Sequence, residues 1–137
     1  MYNTYFYLAS PYSSKDLNVQ KKRGDDVTAF GAKLVKAGVL VYAPITTSRE
    51  LVVCEPSLSS GFETWRKIDL TFVKLSSGVI VYKLEGWEKS VGVTEEILFA
   101  RERHLDIFYV DPQADEANTI DLLKMQFNRA ERDNGNK

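Results

Sequence analysis

The sequence predicts a single α/β domain in which a parallel sheet of four to five strands lies between two helical layers. Three observations predict it. Short apolar runs alternate with long helix-period segments in the order βαβαβαβα. The runs TYFYLA, VLVYA, VIVY and IFYV are continuously apolar, as strands buried on both faces are. A chain of 137 residues can bury one substantial core and leaves little room for a second.

Residues 4–9 are aromatic and apolar and stop at Ser10-Pro11, which reads as a buried strand and a loop. Residues 17–37 have helical spacing, with Val27, Phe30, Leu34 and Val35 on one face and Lys21, Lys22, Lys33 and Lys36 elsewhere. Gly38 stands where a helix C-terminal glycine is expected. Residues 39–43 form the second strand, stopped by Pro44. Residues 45–60 show no period and read as a long loop of the kind that carries function. Residues 61–75 read as a helix buried through Trp65, Ile68, Phe72 and Leu75. Residues 79–82 are the third strand and residues 85–90 a loop. Residues 91–103 are helical, with Val93, Ile97 and Ala100 on one face. Residues 107–110 are the fourth strand, closed by Asp111-Pro112. Residues 114–132 form a last helix anchored by Ile120, Leu123, Met125 and Phe127, and residues 133–137 read as a flexible tail beyond a domain of residues 1–132.

Composition excludes several functions. With 18 basic and 19 acidic side chains the formal charge is −1, without the basic excess of a nucleic-acid polymer binder or an acidic-membrane binder. No apolar run approaches the ~20 residues of a membrane span. Residues 1–10 lack the basic start and apolar core of a signal peptide. The lone Cys54 cannot form an internal disulfide, which fits a cytoplasmic protein. One histidine, His104, and one cysteine cannot build a zinc cluster, and a Ser/His/Asp triad would have only His104 to use. Catalysis would therefore rest on carboxylates, with no metal or cofactor expected.

Ligands of parallel sheets bind outside the carboxyl ends of the strands. Residues 10–14, 44–48 and 85–92 fall at that edge. Ser90 and Gly92 stand at a helix N-terminus, where free N–H groups and the dipole attract anions such as phosphate. Glu96 shares a face with Val93, Ile97 and Ala100, so its carboxylate points into the crevice. A plainer account also stands: acidic residues favour first helical turns, and Ser90 is an ordinary N-cap. Asp69 lies beside the apolar face of the helix before the third strand. It is either a second site carboxylate or half of a salt bridge with Arg66, Lys67 or a neighbouring segment. In Tyr7-Leu-Ala-Ser-Pro-Tyr12 the small residues let a ligand approach, and Tyr7, Ser10 and Tyr12 offer hydroxyls. A plain strand-loop turn would use the same residues. Trp87 can stack on a base, plug an interface or form a local hydrophobic lid. The run Lys21-Lys22-Arg23 gives no specific signal beyond a solvated helix face.

Taken in order, these segments resemble the nucleoside 2-deoxyribosyltransferase superfamily, which includes the 2′-deoxynucleoside 5′-monophosphate N-glycosidases and small phage and bacterial relatives of unassigned function. The resemblance runs from about Tyr5 to Val110. It is carried by Tyr7-Leu-Ala-Ser-Pro11, by Ala43-Pro44, by Asp69 ahead of the third strand, and by Gly92, Glu96, Ile97 and Ala100. It implies a flavodoxin/Rossmann-like three-layer sandwich. It also implies that Glu96 is the nucleophile, with Glu95 out of register. The deoxyribosyltransferases usually place an aspartate two residues before the glycine; this chain has Ser90. The monophosphate N-glycosidases have Ser-x-Gly-Val, matched by Ser90-Val91-Gly92-Val93, with the serine on the 5′-phosphate. The resemblance thus implies a (deoxy)nucleoside or nucleoside 5′-monophosphate substrate, with Ser90 leaning toward the monophosphate, cleavage or transfer at its N-glycosidic bond, Asp69 protonating or orienting the leaving base or positioning Glu96, and a homodimer or higher homo-oligomer whose sites are completed across subunits. A non-catalytic nucleotide-binding or sequestering module would use the same crevice but has no need of Glu96. A phosphate-binding regulatory domain would need an aspartate at the end of the first or third strand, where Ala9-Ser10 and Tyr82-Lys83 stand instead.

Overall fold

The layering is decided by alternation in the shortest elements. In β1, Phe6–Ala9, all four side chains are buried, and successive side chains leave opposite faces of a strand. Phe6 and Leu8 enter one apolar core, and Tyr7 and Ala9 enter another. A strand buried on both sides needs cover on both sides, which is the physical reason for three layers. The computed structural model describes residues 3–58 and 61–135. After β1 the chain runs through α1 (Leu17–Lys36), β2 (Val41–Tyr42), α2 (Pro44–Cys54), α3 (Phe62–Leu75), β3 (Val79–Tyr82), α4 (Val91–Glu102), β4 (Ile107–Val110) and α5 (Glu116–Gly135), with a 3-10 turn at Trp87–Lys89.

The four strands are parallel in the order β2-β1-β3-β4, with Phe6 opposite Val41, Tyr7 opposite Val79 and Val79 opposite Ile107. The first core takes Val27, Phe30 and Leu34 from α1 and Leu123 and Phe127 from α5. The second takes Val73 from α3 and Val93, Ile97 and Ala100 from α4. The sheet is therefore the α/β sandwich expected from the sequence. Strand order reverses between β1 and β3, so the chain leaves their ends toward opposite faces and a crevice opens there. No helix of the described residues is long and apolar enough to cross a membrane.

Several boundaries differ from the expectation. The segment after Pro44 is not a loop: residues 44–54 form α2, with proline at its first turn, where a missing N–H costs nothing. Only Pro44 and Ile45 of α2 are buried, so it has no apolar stripe long enough to announce a helix. The second strand shrinks to Val41–Tyr42 at the sheet edge. On α3, Trp65 and Val73 are buried, whereas Ile68 and Leu75 are exposed. Val35 of α1 and Met125 of α5 also face outward. Residues 133–135 continue α5, and Asn134 Nδ2 donates to Thr4 Oγ1 at 2.8 Å and to Ser77 Oγ at 3.0 Å. That part is thus not a free tail; residues 136 and 137 lie outside the described residues.

Helix ends are closed by local hydrogen bonds. The side chain of Asp16 accepts from Asn18 N at the start of α1. Gly38, at φ +89°, ends that helix, with Val39 N reaching Leu34 O. The same left-handed step ends α4, but His104 takes it, at φ +57°. His104 N donates to Arg101 O at 3.0 Å and Leu105 N to Ala100 O at 3.0 Å. A Cβ in that conformation is strained, and glycine there relieves the strain while adding freedom to the unfolded chain. His104→Gly is expected to stabilise the fold by about 0.5–1 kcal/mol, read as a rise in the urea midpoint at unchanged slope.

Candidate functional site

A cavity of about 460 Å³ opens at the carboxyl ends of β1 and β3, a size suited to a small organic ligand. Its floor is a carboxyl group. Glu96 lies in the second turn of α4 on the face that carries Val93, Ile97 and Ala100, and it is only 4% exposed. A carboxyl so deep needs a partner. The Tyr7 hydroxyl, from the central strand, donates to Glu96 Oε2. Asp69 reaches the same cavity from α3. Trp65 and Asp69 are four residues apart, so the face that buries Trp65 also turns Asp69 inward. Asp69 makes no ion pair among the described residues; Arg66 pairs instead with Glu95, at 3.3 Å on the exposed side.

The mouth is built from helix starts. Pro44 and Ile45 of α2, Gly61, Phe62 and Glu63 of α3, and Ser90, Val91 and Gly92 of α4 all line it. Each start presents N–H groups that have no partner within the helix and a positive dipole end. Ser90 Oγ accepts from Val93 N at 3.2 Å, so the N-cap account of Ser90 holds, at a cap that also lines the cavity. Ser10 lies between floor and mouth. Its hydroxyl is buried, lines the cavity and has no hydrogen-bond partner among the described residues. Tyr12, Ser13, Ser48 and Lys89 complete the rim. Three helix starts at the mouth and a carboxyl floor give the cavity positive dipole ends at one side and acidic groups at the other.

Of the residues singled out in the sequence, Glu96, Asp69, Ser10, Tyr12, Ser90 and Gly92 line the cavity, and Tyr7 sits behind Glu96. Trp87 stands apart from the cavity lining. It is half-buried against the second core and tilted on Tyr109 at 5.9 Å, as a local hydrophobic cover. Phe62 and Trp65 were not singled out for the site, yet they form its aromatic wall. Phe62 lies against the start of α4, where a Cβ on Gly92 would come within 3.1 Å of its ring. The three- and four-residue steps from Phe62 to Trp65 to Asp69 were the available signal.

Burial governs the charge of the floor. It pushes Glu96 up to about 8, with the charge of Asp69 adding to the rise and the Tyr7 hydrogen bond opposing it. Burial likewise pushes Asp69 up to about 7. Tyr7 is raised well above the usual phenol range by burial and then by the neighbouring carboxylates. The folded protein therefore keeps protons on Glu96 and Asp69 that the unfolded chain releases from about pH 4 upward. Both groups contribute stability that is whole below the unfolded carboxyl range and is lost as pH rises toward 8. Glu96→Gln removes the larger contribution. Its melting temperature is expected to match the wild type near pH 4.5 and to exceed it increasingly up to pH 8–9. A constant gap across that range in thermal scans would overturn the assignment.

No curated protein matches the chain. A family model does, described as "Domain of unknown function (DUF1937)", over residues 4–111. That span takes in all four strands, α1 to α4 and every residue of the cavity, and leaves α5 outside it. The chain belongs to this family.

Proposed function

We propose that the protein cleaves, or transfers at, the N-glycosidic bond of a nucleoside 5′-monophosphate, through Glu96 as nucleophile. The observation that carries this reading is the floor itself. A glutamate aimed into a cavity, hydrogen-bonded by Tyr7 and accompanied by Asp69, is more than ligand binding requires. A cavity of about 460 Å³ holds a sugar with its base, and the start of α4 at Ser90–Gly92 suits a phosphate. The sequence resemblance to the nucleoside 2-deoxyribosyltransferase superfamily points the same way.

In the proposed reaction the Glu96 carboxylate attacks C1′ while the bond from C1′ to the base nitrogen breaks. The bonding pair leaves with the base, which takes a proton from Asp69. The oxocarbenium-like transition state is stabilised by the carboxylate beneath it. Water then attacks C1′, gives its proton to Asp69 and frees Glu96; a second base in place of water completes a transfer. Burial pushes both carboxyl groups up, Glu96 to about 8 and Asp69 to about 7, so the reaction runs through the form in which Glu96 has given up its proton.

The test is a panel of nucleosides and nucleoside monophosphates followed for free base. Wild type is expected to release base from a monophosphate, and Glu96→Gln to lose roughly 10³-fold or more in kcat while staying folded. Wild-type binding of nucleotides with no release would turn the reading to a sequestering module.

We further propose a cytoplasmic homodimer. Leu51 and Val53 on α2 and Ile68 and Leu75 on α3 are exposed on the elements that wall the cavity, and a second copy would cover them. Light scattering at micromolar concentration is expected to give at least twice the chain mass of 15.6 kDa. A monomer mass with full activity would overturn it.

A further inference from the structure

We propose that Arg23 is a positioning residue of the cavity, a single guanidinium that holds the loop after β1 and the loop after β3 at a set separation. The need for such a group follows from the topology. At the reversal of strand order the two central strands hand the chain to helices on opposite faces. Their ladder ends with Ala9 opposite Val81. Beyond it lie Ser10, Tyr12 and Ser13 on one wall of the mouth and Lys89, Ser90 and Gly92 on the other.

Arg23 spans that gap from α1. Its Nη1 donates to Ser13 O at 2.9 Å and to Tyr12 O at 3.4 Å, and its Nη2 donates to Glu85 O at 3.0 Å. The planar fork of arginine can serve two loops at once; a lysine ammonium on a flexible stem cannot hold that geometry. The surroundings are shaped to receive it. Gly86 sits at φ +90°, and a Cβ there would lie 2.5 Å from Arg23 Nη2. On the next residue of α1, a Cβ on Gly24 would run into the Arg49 guanidinium and come within 3.1 Å of the Tyr12 ring. Arg49 in turn pairs with Asp25 at 3.1 Å, and Thr28 and Thr46 share a hydroxyl hydrogen bond at 2.6 Å, so the same half of α1 also holds α2. Lys21 and Lys22, by contrast, pair with Asp25 and Asp26 on the exposed surface. The basic run of the sequence thus contains one residue with an inward task and two without.

Arg23 touches neither carboxyl group of the floor. Glu96 and Asp69 are held by the packing of α3, α4 and Tyr7. Loosening the clamp should therefore spoil the fit of a ligand between Tyr12 and Ser90 and leave the chemical step nearly intact. This kinetic consequence rests on the glycosidic reading proposed above; the structural one does not.

The experiment compares Arg23→Gln, Arg23→Lys and, as a control, Lys22→Gln in the full chain. Amide hydrogen exchange followed by mass spectrometry reads residues 10–14 and 85–90. Both segments, distant in sequence, are expected to exchange faster together by on the order of 10-fold in both Arg23 variants and in neither control nor wild type. With whichever nucleoside 5′-monophosphate the wild type cleaves, KM is expected to rise about 10-fold with kcat within about 2-fold. Should Arg23→Gln not fold, Arg23→Lys carries the same readouts. Faster exchange in one segment alone or in neither, or a fall in kcat at unchanged KM, would overturn the proposal. Paired exchange in a protein that cleaves nothing in the panel would uphold the clamp and remove the glycosidic reading.

Discussion

The hydroxyl of Tyr7 meets the carboxyl of Glu96 in the interior, and most of the site depends on that contact. Tyr7 belongs to the central strand and is fully buried, so its position is set by the sheet ladder on both sides. Glu96 belongs to α4, and its carboxyl finds a partner only when α4 is rotated to face that hydroxyl. Once it is, Val93, Ile97 and Ala100 close the second core, and Ser90 and Gly92 arrive at the mouth. A buried polar group left unpaired costs on the order of 1–3 kcal/mol, enough to select one rotation of a short helix. Ala9 stands two residues past Tyr7 on the same face, nearer the carboxyl edge, and its small side chain leaves that edge open.

The two faces of the sheet have different work. Under α1 and α5 the core is apolar and aromatic, with Phe6 edge-on to Phe127 and Phe30 stacked on Tyr82. Nothing there has to remain accessible. Under α3 and α4 the apolar packing stops short of the strand ends, and carboxyl groups take its place. The stability given up by burying Glu96 and Asp69 on that side is secured on the other, a common division where a site must hold groups in unfavourable states.

The polarity of the cavity runs from mouth to floor. Helix starts put positive dipole ends at the mouth, and the carboxyl pair makes the floor acidic. The same gradient accounts for the unpartnered hydroxyl of Ser10, which lies between the two ends and can donate or accept as a ligand requires.

Local periodicity in the sequence determined the alternation of strands and helices, the parallel sheet, the register of α4 and the inward side of Glu96. Those features are encoded within a few residues of themselves: four continuous apolar runs, and offsets of three and four from Glu96 to Val93 and Ala100. What escaped was encoded by distant partners. Residues 44–54 fold as α2, tied to α1 by Arg49 with Asp25 and by Thr46 with Thr28, and no local period reports that. The face of α3 turns toward Trp65 and Asp69, leaving Ile68 and Leu75 outside, because the cavity and the second core meet there. Arg23 looked like one more charge on a solvated face until the loops after β1 and β3 were brought to its two sides. Periodicity along one element can report which residues point inward; only the packing of elements far apart in the chain decides what they point at.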